Sequence, residues 1–368
     1  MNDITRKLAS VRRISNIEDI PNADKIEVAS VDGWKVVVQK GLYNINDLVV
    51  YFEIDSFLPV EPQYEFLRKG CFRTTANLGD GFRIMTIKLR NTMSQGIILP
   101  LNEIGLDKIT NADGQSYLDF INEGDDLTEI LNVKKFEKPI PSTLTGRVKG
   151  NPSTLTGRVK ENFPLFIPKT DQERIQNIKG RVYHEHKDDL FEVSTKVDGS
   201  SMTVYFKDGG FGVCSRNWDM EDEINNTYWQ VFHKAEMGAG VHLNQTTGRN
   251  FALQGELAGP GVNNNYAKLK EHEFYLFDIY DIDQSRYLTP AERHYFFTYL
   301  TEELGMKIKH VPVWHQFFVG IPSVEYALIL ADDREFNGLP AEGLVWKCFD
   351  GQFSFKAISN KYIMNNDE

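Results

Sequence analysis

Cysteine is scarce in this 368-residue chain: Cys71, Cys214 and Cys348 are all there is, far apart and with no Cys-x-x-Cys pair. Such spacing excludes a disulfide framework and a structural zinc site built on paired thiolates, and it points to a reducing compartment, the cytoplasm. Long apolar runs are missing too, so no membrane span is expected. Residues 1–7 carry basic side chains with no apolar stretch behind them, which speaks against a secretory signal. Positive charge is in deficit, 41 Lys/Arg against 52 Asp/Glu for a net charge of −11, and this excludes indiscriminate binding of polyanions. The deficit is uneven. Residues 134–187 hold 12 Lys/Arg and 5 Asp/Glu, a local +7 that leaves −18 elsewhere, and this fits a confined phosphate-facing surface or a solvated linker.

What is present is a globular composition, 41% hydrophobic and 25% charged. The length suits about two domains with real cores. Residues 8–100 read as an all-β unit, with strands over 11–14, 26–31, 34–39, 48–54, 83–89 and 96–99, several alternating apolar and polar, and turns at Asp32-Gly33 and Asn46-Asp47. A small barrel closes such short strands. The stretch Ile20-Pro21-Asn22-Ala23-Asp24-Lys25-Ile26-Glu27-Val28 and the strands after it resemble OB-type tRNA-binding modules. Residues 68–83, with Arg73 and two aromatics, form a binding loop or a long exposed connection. Residues 101–133 complete this domain, giving a first unit over 1–135. Residues 141–149 recur unchanged as 152–160. Two copies rich in Pro, Gly, Ser and Thr are too few and too polar to stack, so 136–162 is expected to be a basic linker.

A second unit is expected over 163–368. Thr170 or Asp171 caps a short helix in which Ile175 and Ile178 share a face. His184 and His186 flank Glu185, an exposed strand or, more remotely, a metal pair. Phe191 to Thr195 is rich in β-formers, Asp198-Gly199 supplies a turn and Met202 restarts a strand, which places Lys196 at the lip of a sheet. By itself the tetrapeptide also fits a solvated hairpin. A lysine so placed becomes a nucleophile when burial and cationic neighbours lower its pKa. Gly199 lets the backbone approach a ligand closely. Arg216 stands at a strand end, residues 221–237 form an amphipathic helix with Ile224, Tyr228, Val231 and Phe232 inward, and 290–305 form another helix. Glu256, Glu342, Lys347 and Lys356 each interrupt an apolar strand, which suggests one shared cleft.

In order, Lys196-x-Asp198-Gly199, Ser215-Arg216-Asn217, Gly255-Glu256-Leu257, Phe277-Asp278, Glu342-Gly343-Leu344-Val345 and Lys356 resemble the nucleotidyltransferase motifs of the lysine-adenylating polynucleotide ligases and capping enzymes. The stretch 163–177, with Ile167-Pro168-Lys169-Thr170-Asp171, resembles the RNA ligases that carry an N-terminal OB domain, RNA ligase family five. DNA ligases and capping guanylyltransferases carry that barrel after the catalytic core, whereas 12 residues follow Lys356 here. The resemblance implies an α+β protein: an OB-type barrel, then a nucleotidyltransferase domain of ATP-grasp-like antiparallel sheets with helices.

The resemblance also implies an ATP-dependent RNA ligase working with Mg2+ or Mn2+. Lys196 attacks the ATP α-phosphate, AMP passes to a 5′-phosphate, and a 3′-OH displaces it. Lys356 and Lys347 then face the α-phosphate, and Lys356 keeps Lys196 unprotonated. Glu256 meets the ribose, Phe277 stacks on adenine, Glu342 and Glu256 orient the metal, and Arg174, Arg216, Lys169, Asp198 and Gly199 complete the nucleotide contacts. Where the family has a second lysine two residues beyond Lys356, this chain has Ile358, with Lys361 or Lys347 as substitutes. The implied partner is RNA, as a nicked duplex or RNA/DNA hybrid, met by a monomer without a membrane. The competing readings are a capping-type guanylyltransferase, a DNA ligase, or a structured-RNA-binding protein whose catalytic half is inactive.

Overall fold

Strand-forming runs broken by turn residues shape the first third of the chain. The computed structural model describes residues 6–75, 77–109, 114–136, 155 and 157–366. It divides into two compact units, Met1–Pro141 and Ser142–Glu368. The first copy of the repeat and residues 152–154 and 156 of the second lie outside the described residues.

In the first unit, Leu48–Phe52 pairs antiparallel with Ala9–Arg13 and Ile97–Pro100. A meander joins Asn16–Asp19, Ile26–Val31 and Trp34–Gln39. Its second turn is Asp32-Gly33, both left-handed at φ 50° and 81°, the geometry a two-residue hairpin needs. The single strand expected over 83–89 is two, Gly79–Arg83 and Thr86–Leu89, each belonging to a different sheet. Residues 68–83 are neither open loop nor plain connection: a helical turn, Arg68–Cys71, leads into a hairpin of Phe72–Thr75 and Gly79–Arg83. Arg68 lies 4.5 Å from the centre of the Phe72 ring.

The second unit is built on two sheets. The larger runs Val159–Asn162, Trp218–Met220, Gly210–Cys214, Ser200–Lys207, Phe251–Ala258, Glu273–Asp281 and Arg286–Tyr287, with Lys309–His310 beside Glu273–Asp281. Its edge strand Val159–Asn162 occupies residues assigned to the linker on sequence. The smaller sheet runs Glu173–Arg174, Ser354–Ile358, Gly343–Cys348, Leu190–Lys196 and Val313–Val319.

Each sheet buries one face under its own helices. Helices Thr227–Lys234 and Pro290–Thr298 contribute Val231, Phe232 and Phe296 to the core of the larger sheet. Helices Ile175–His184 and Val324–Asp332 cover the smaller, where Trp346 is fully buried and stacks on Phe355. Burial of that kind makes Trp346→Ala a loss of about 3–5 kcal/mol. The period-two pleat then sends the alternate residues to the other face. Phe191 and Val193, Leu344 and Trp346, Phe355 and Ala357 enter the helix-covered core. Ser194 and Lys196, Val345 and Lys347, Lys356 and Ile358 line a cavity instead.

Three helix expectations shift. Ile175–His184 starts without a side-chain cap: its N-cap position is Arg174, at the end of strand Glu173–Arg174, and Asp171 bonds Arg216 instead. The helix expected over 221–237 is Thr227–Lys234, capped by Asn226, and it leaves Ile224 88% exposed. Pro290–Thr298 is α-helical under a Thr289/Glu292 capping box, and Tyr299–Glu303 widens into a π turn. His184 ends a helix, and no group of three His, Cys, Asp or Glu side chains among the described residues has metal-binding spacing.

Candidate active site

A cavity of about 440 Å³ is lined by residues of both sheets, among them Lys196, Asp198, Gly199, Glu256, Phe277, Glu342, Lys347 and Lys356, with Arg174 and Arg216 at its edge. That volume is within the range of small-molecule sites. Strand register assembles it. Lys196 lies opposite Gly343, which brings Glu342 beside the lysine, and Val345 lies opposite Lys356. Glu173–Arg174 joins in parallel, with Arg174 level with Lys356. Two glycines are needed by packing. A Cβ on Gly343 would lie 2.1 Å from the Ala357 carbonyl oxygen, and one on Gly199 would lie 2.4 Å from the Leu257 carbonyl oxygen and 2.8 Å from Glu256 Cγ.

Charge inside the cavity is dense and unevenly compensated. Lys196 Nζ donates to Glu342 Oε2 at 2.6 Å, the two side chains 22% and 18% exposed. Burial works to lower the Lys196 pKa, but Glu342, then Glu256 and Asp198, outweigh it and hold the amine above its ordinary value. Burial pushes Glu256 up to about 8, with Glu342 and Asp198 adding to the rise. Burial and Glu342 push Asp198 up to about 6, against the Asn263 hydrogen bond. Burial, then Lys196 and Arg174, push Lys356 down to about 8. The sequence expectation that Lys356 holds Lys196 unprotonated is not what the surrounding charge favours: the carboxylates raise the Lys196 pKa, and the cationic crowding falls on Lys356.

Lys347 is turned differently. Its ammonium is 2.7 Å from Asp278 Oδ1 and also donates to the Phe277 carbonyl oxygen, and burial lowers its pKa while Asp278 opposes the fall.

Known proteins now bear on this geometry. An OB-fold domain family matches residues 8–101 and an RNA ligase family matches residues 189–359. A solved Naegleria gruberi RNA ligase mutant with ATP and manganese is 40% identical, covering 98% of this chain and 99% of that one at a TM-score of 0.78. A mutant with AMP and manganese matches equally, at 40%, 98%, 99% and 0.78. The same organism's RNA ligase with pyrophosphate is 41% identical over 98% of each chain, TM-score 0.76. The chain belongs to the RNA ligase family. No curated protein sequence matches it. The ligase is thus an α+β enzyme with an N-terminal OB-fold domain, and no described helix is long and apolar enough to cross a membrane.

Not every residue singled out from the ligase's sequence faces the cavity. Lys169 is exposed and donates to Asn217 Oδ1 at 2.9 Å. Lys361, offered on sequence as a substitute for the lysine missing at Ile358, is exposed, pairs with Asp333 at 3.6 Å and is not among the cavity-lining residues. Arg216 Nη2 donates to both Asp171 oxygens, at 2.9 and 2.8 Å, an exposed pair at the rim. Sequence reasoning missed Asn263, whose amide donates to Asp198 Oδ1 at 2.9 Å and to the Gly199 carbonyl oxygen at 2.6 Å. It opens a run of three left-handed asparagines, φ 42°, 58° and 49°. The signal was legible: Asn-Asn-Asn after Gly259-Pro260-Gly261 is turn chemistry.

Proposed function

We propose that this RNA ligase is ATP-dependent and seals 3′-OH/5′-phosphate breaks through a lysyl-AMP intermediate on Lys196. The observation that carries the reading is the Lys196 amine inside a nucleotide-sized cavity, beside three carboxylates and two further cations. In the first step Lys196 Nζ attacks the α-phosphorus, a P–N bond forms, and the P–O bond to pyrophosphate breaks. Lys356 and Arg174 face the negative charge that grows on the phosphate oxygens. AMP then passes to a 5′-phosphate, and the 3′-OH displaces it.

Among the described residues three protein ligands do not come together, but Glu342 and Glu256 are two oxygen ligands whose charges disfavour one another across the cavity, so a divalent cation that took its remaining ligands from phosphate and water would relieve them. Mg2+ or Mn2+ would be held by Glu342 and Glu256 and would supply charge neutralisation at the phosphates. With those carboxylates neutralised, burial and the Lys356 cation are left to push the Lys196 amine toward its nucleophilic form. Phe277 offers a ring for adenine and Glu256 an acceptor for the ribose, while Arg216, freed from Asp171, serves phosphate, and Asp198 and Gly199 border the same site; Lys169 would reach the nucleotide only by leaving Asn217.

The substrate in this reading is a nicked duplex, RNA or RNA/DNA hybrid, met by a monomer in the cytoplasm, with 1–135 as the nucleic-acid-binding domain, 136–162 as linker and 163–368 as catalytic domain. Incubation with α-labelled ATP or GTP, and then with nicks carrying RNA or DNA on the 3′-OH side, tests it. Label from ATP and sealing of RNA-ended nicks are expected. Label from GTP alone, or sealing confined to DNA, would replace the reading by a capping enzyme or a DNA ligase.

A further inference from the structure

Behind the cavity wall lies a buried charge cluster that the steps above do not use. Arg293, on helix Pro290–Thr298, is 1% exposed. Its Nη2 donates to Glu192 Oε1, its Nη1 is 3.6 Å from Asp278 Oδ1, and its Nε donates to His310 Nε2 at 3.1 Å. Since His310 Nε2 accepts, its proton is on Nδ1, which donates to the Val311 carbonyl oxygen at 2.7 Å. Burial, with the Arg293 cation adding to it, keeps that imidazole neutral, its pKa down at about 3. Asp278 in turn holds the Lys347 ammonium at 2.7 Å. The cluster joins both sheets: Glu192 and Lys347 belong to the smaller, Asp278 and His310 to the larger.

A surface ion pair in this position would carry little meaning, and buried charge is weak evidence for stability, because hydrophobic replacements often do as well. The pattern here is directional. Two of the three branches leaving Arg293 end on cavity-lining residues: Asp278 leads to Lys347 and, through its ammonium, to the Phe277 carbonyl; His310 leads to Val311. Two of those residues are the ones expected to meet phosphate and base.

We propose that Arg293 is a positioning residue for nucleotide transfer: by sharing Asp278 with Lys347 and fixing neutral His310 against Val311, it sets where the Lys347 ammonium stands at the α-phosphate side of the cavity. The inference rests on the lysyl-AMP reading. Without Arg293, Asp278 has one cation left and draws Lys347 into the wall, away from phosphate. Glu192 lies opposite Lys347 in the strand register but does not line the cavity, so it compensates charge without itself meeting the nucleotide.

The test measures lysine adenylation in single turnover with α-labelled ATP and Mg2+ on the full chain. Arg293→Met is expected to lower the rate at saturating ATP about ten-fold, equivalent to about 1.4 kcal/mol in the transition state, with a smaller change in the ATP concentration giving half-maximal rate. Arg293→Met combined with Glu192→Gln removes one charge of each sign. It is expected to recover the thermal midpoint lost by the single variant and to leave adenylation slow. Arg293→Lys, which keeps the charge, is expected to return most of the rate. Full adenylation by the double variant, or an unchanged rate in the single variant, would overturn the proposal. Should Arg293→Met fail to fold, the double variant and Arg293→Lys still decide it. Wild-type protein that takes no label at all would instead overturn the lysyl-AMP reading, so the two failures are distinguishable.

Discussion

Two lysine–carboxylate pairs stand in the same catalytic unit, and they behave oppositely. Lys196 and Glu342 meet at 2.6 Å in the open cavity, Lys347 and Asp278 at 2.7 Å in its back wall. The distances hardly differ. What differs is the company: Lys196 faces Glu342, Glu256 and Asp198 and its pKa rises, while Lys347 shares Asp278 with the Arg293 cation, is more deeply buried, and its pKa falls. One amine stands in excess negative charge, and the other belongs to a neutralised lattice that holds a cation in place. Contact distance therefore does not separate the two amines. Net charge around each amine and its access to the cavity do.

Stability separates the pairs most strongly. Asp278→Ala leaves Lys347 and Arg293 buried with less compensation and is expected to cost about 3–5 kcal/mol in urea unfolding. Glu342→Ala removes one of three carboxylates around Lys196 and leaves Glu256 and Asp198 to compensate the amine, so it is expected to cost clearly less, about 1–2 kcal/mol. Equal losses would erase the distinction.

Reactivity is the next way to sharpen it. Glu342→Gln removes the carboxylate that raises the Lys196 pKa, so a larger fraction of the amine is neutral at any given pH. Acylation of Lys196 by an amine-directed reagent, followed by peptide mass spectrometry, is expected to speed up about ten-fold for each unit the pKa falls. A slower reaction would contradict the assignment of Glu342 as the group holding the ammonium.

A third test uses pH. Glu256 titrates near 8 in the fold and near the ordinary carboxyl value of about 4 when unfolded. Between those values the folded state binds more protons, so this group's contribution to stability falls as pH rises through the window and is constant outside it. Glu256→Gln stays neutral throughout. Its thermal midpoint is expected to exceed wild type by about 2–4 °C at pH 9 and to match it at pH 4.

The smallest effect concerns the rim. Asp171→Ala breaks an exposed pair with Arg216 and is expected to change stability by less than about 0.5 kcal/mol. Tighter ATP binding by titration calorimetry, from a freed Arg216, would mark that pair as a competitor of the nucleotide.

Much of this was legible in the sequence because strands write their faces in a period of two. Lys347 and Lys356 interrupt apolar strands, as Glu256 and Glu342 do in the sequence pattern, and each lysine alternates with residues of a helix-covered core, so the pattern of charges among apolar residues suggested one cleft. Three-dimensional charge balance was not legible. Nothing near Lys347 in sequence reveals that Asp278 and Arg293 surround it, and Arg293 sits in an aromatic helix with no local mark of burial. Asp171 looked like a helix cap because cap chemistry is local, yet the distant Arg216 offered it two hydrogen bonds. Ile224 fitted a helical face by spacing, but Asn226 caps the helix two residues later and leaves it outside.

The most direct measurement is the site of nucleotide attachment. Wild-type protein incubated with α-labelled ATP and Mg2+ or Mn2+, then denatured and digested, is predicted to carry an acid-labile, alkali-resistant adenylyl group on the peptide containing Lys196, and Lys196→Ala is predicted to carry none. Label on another residue, or an equally labelled Lys196→Ala protein, would contradict the account.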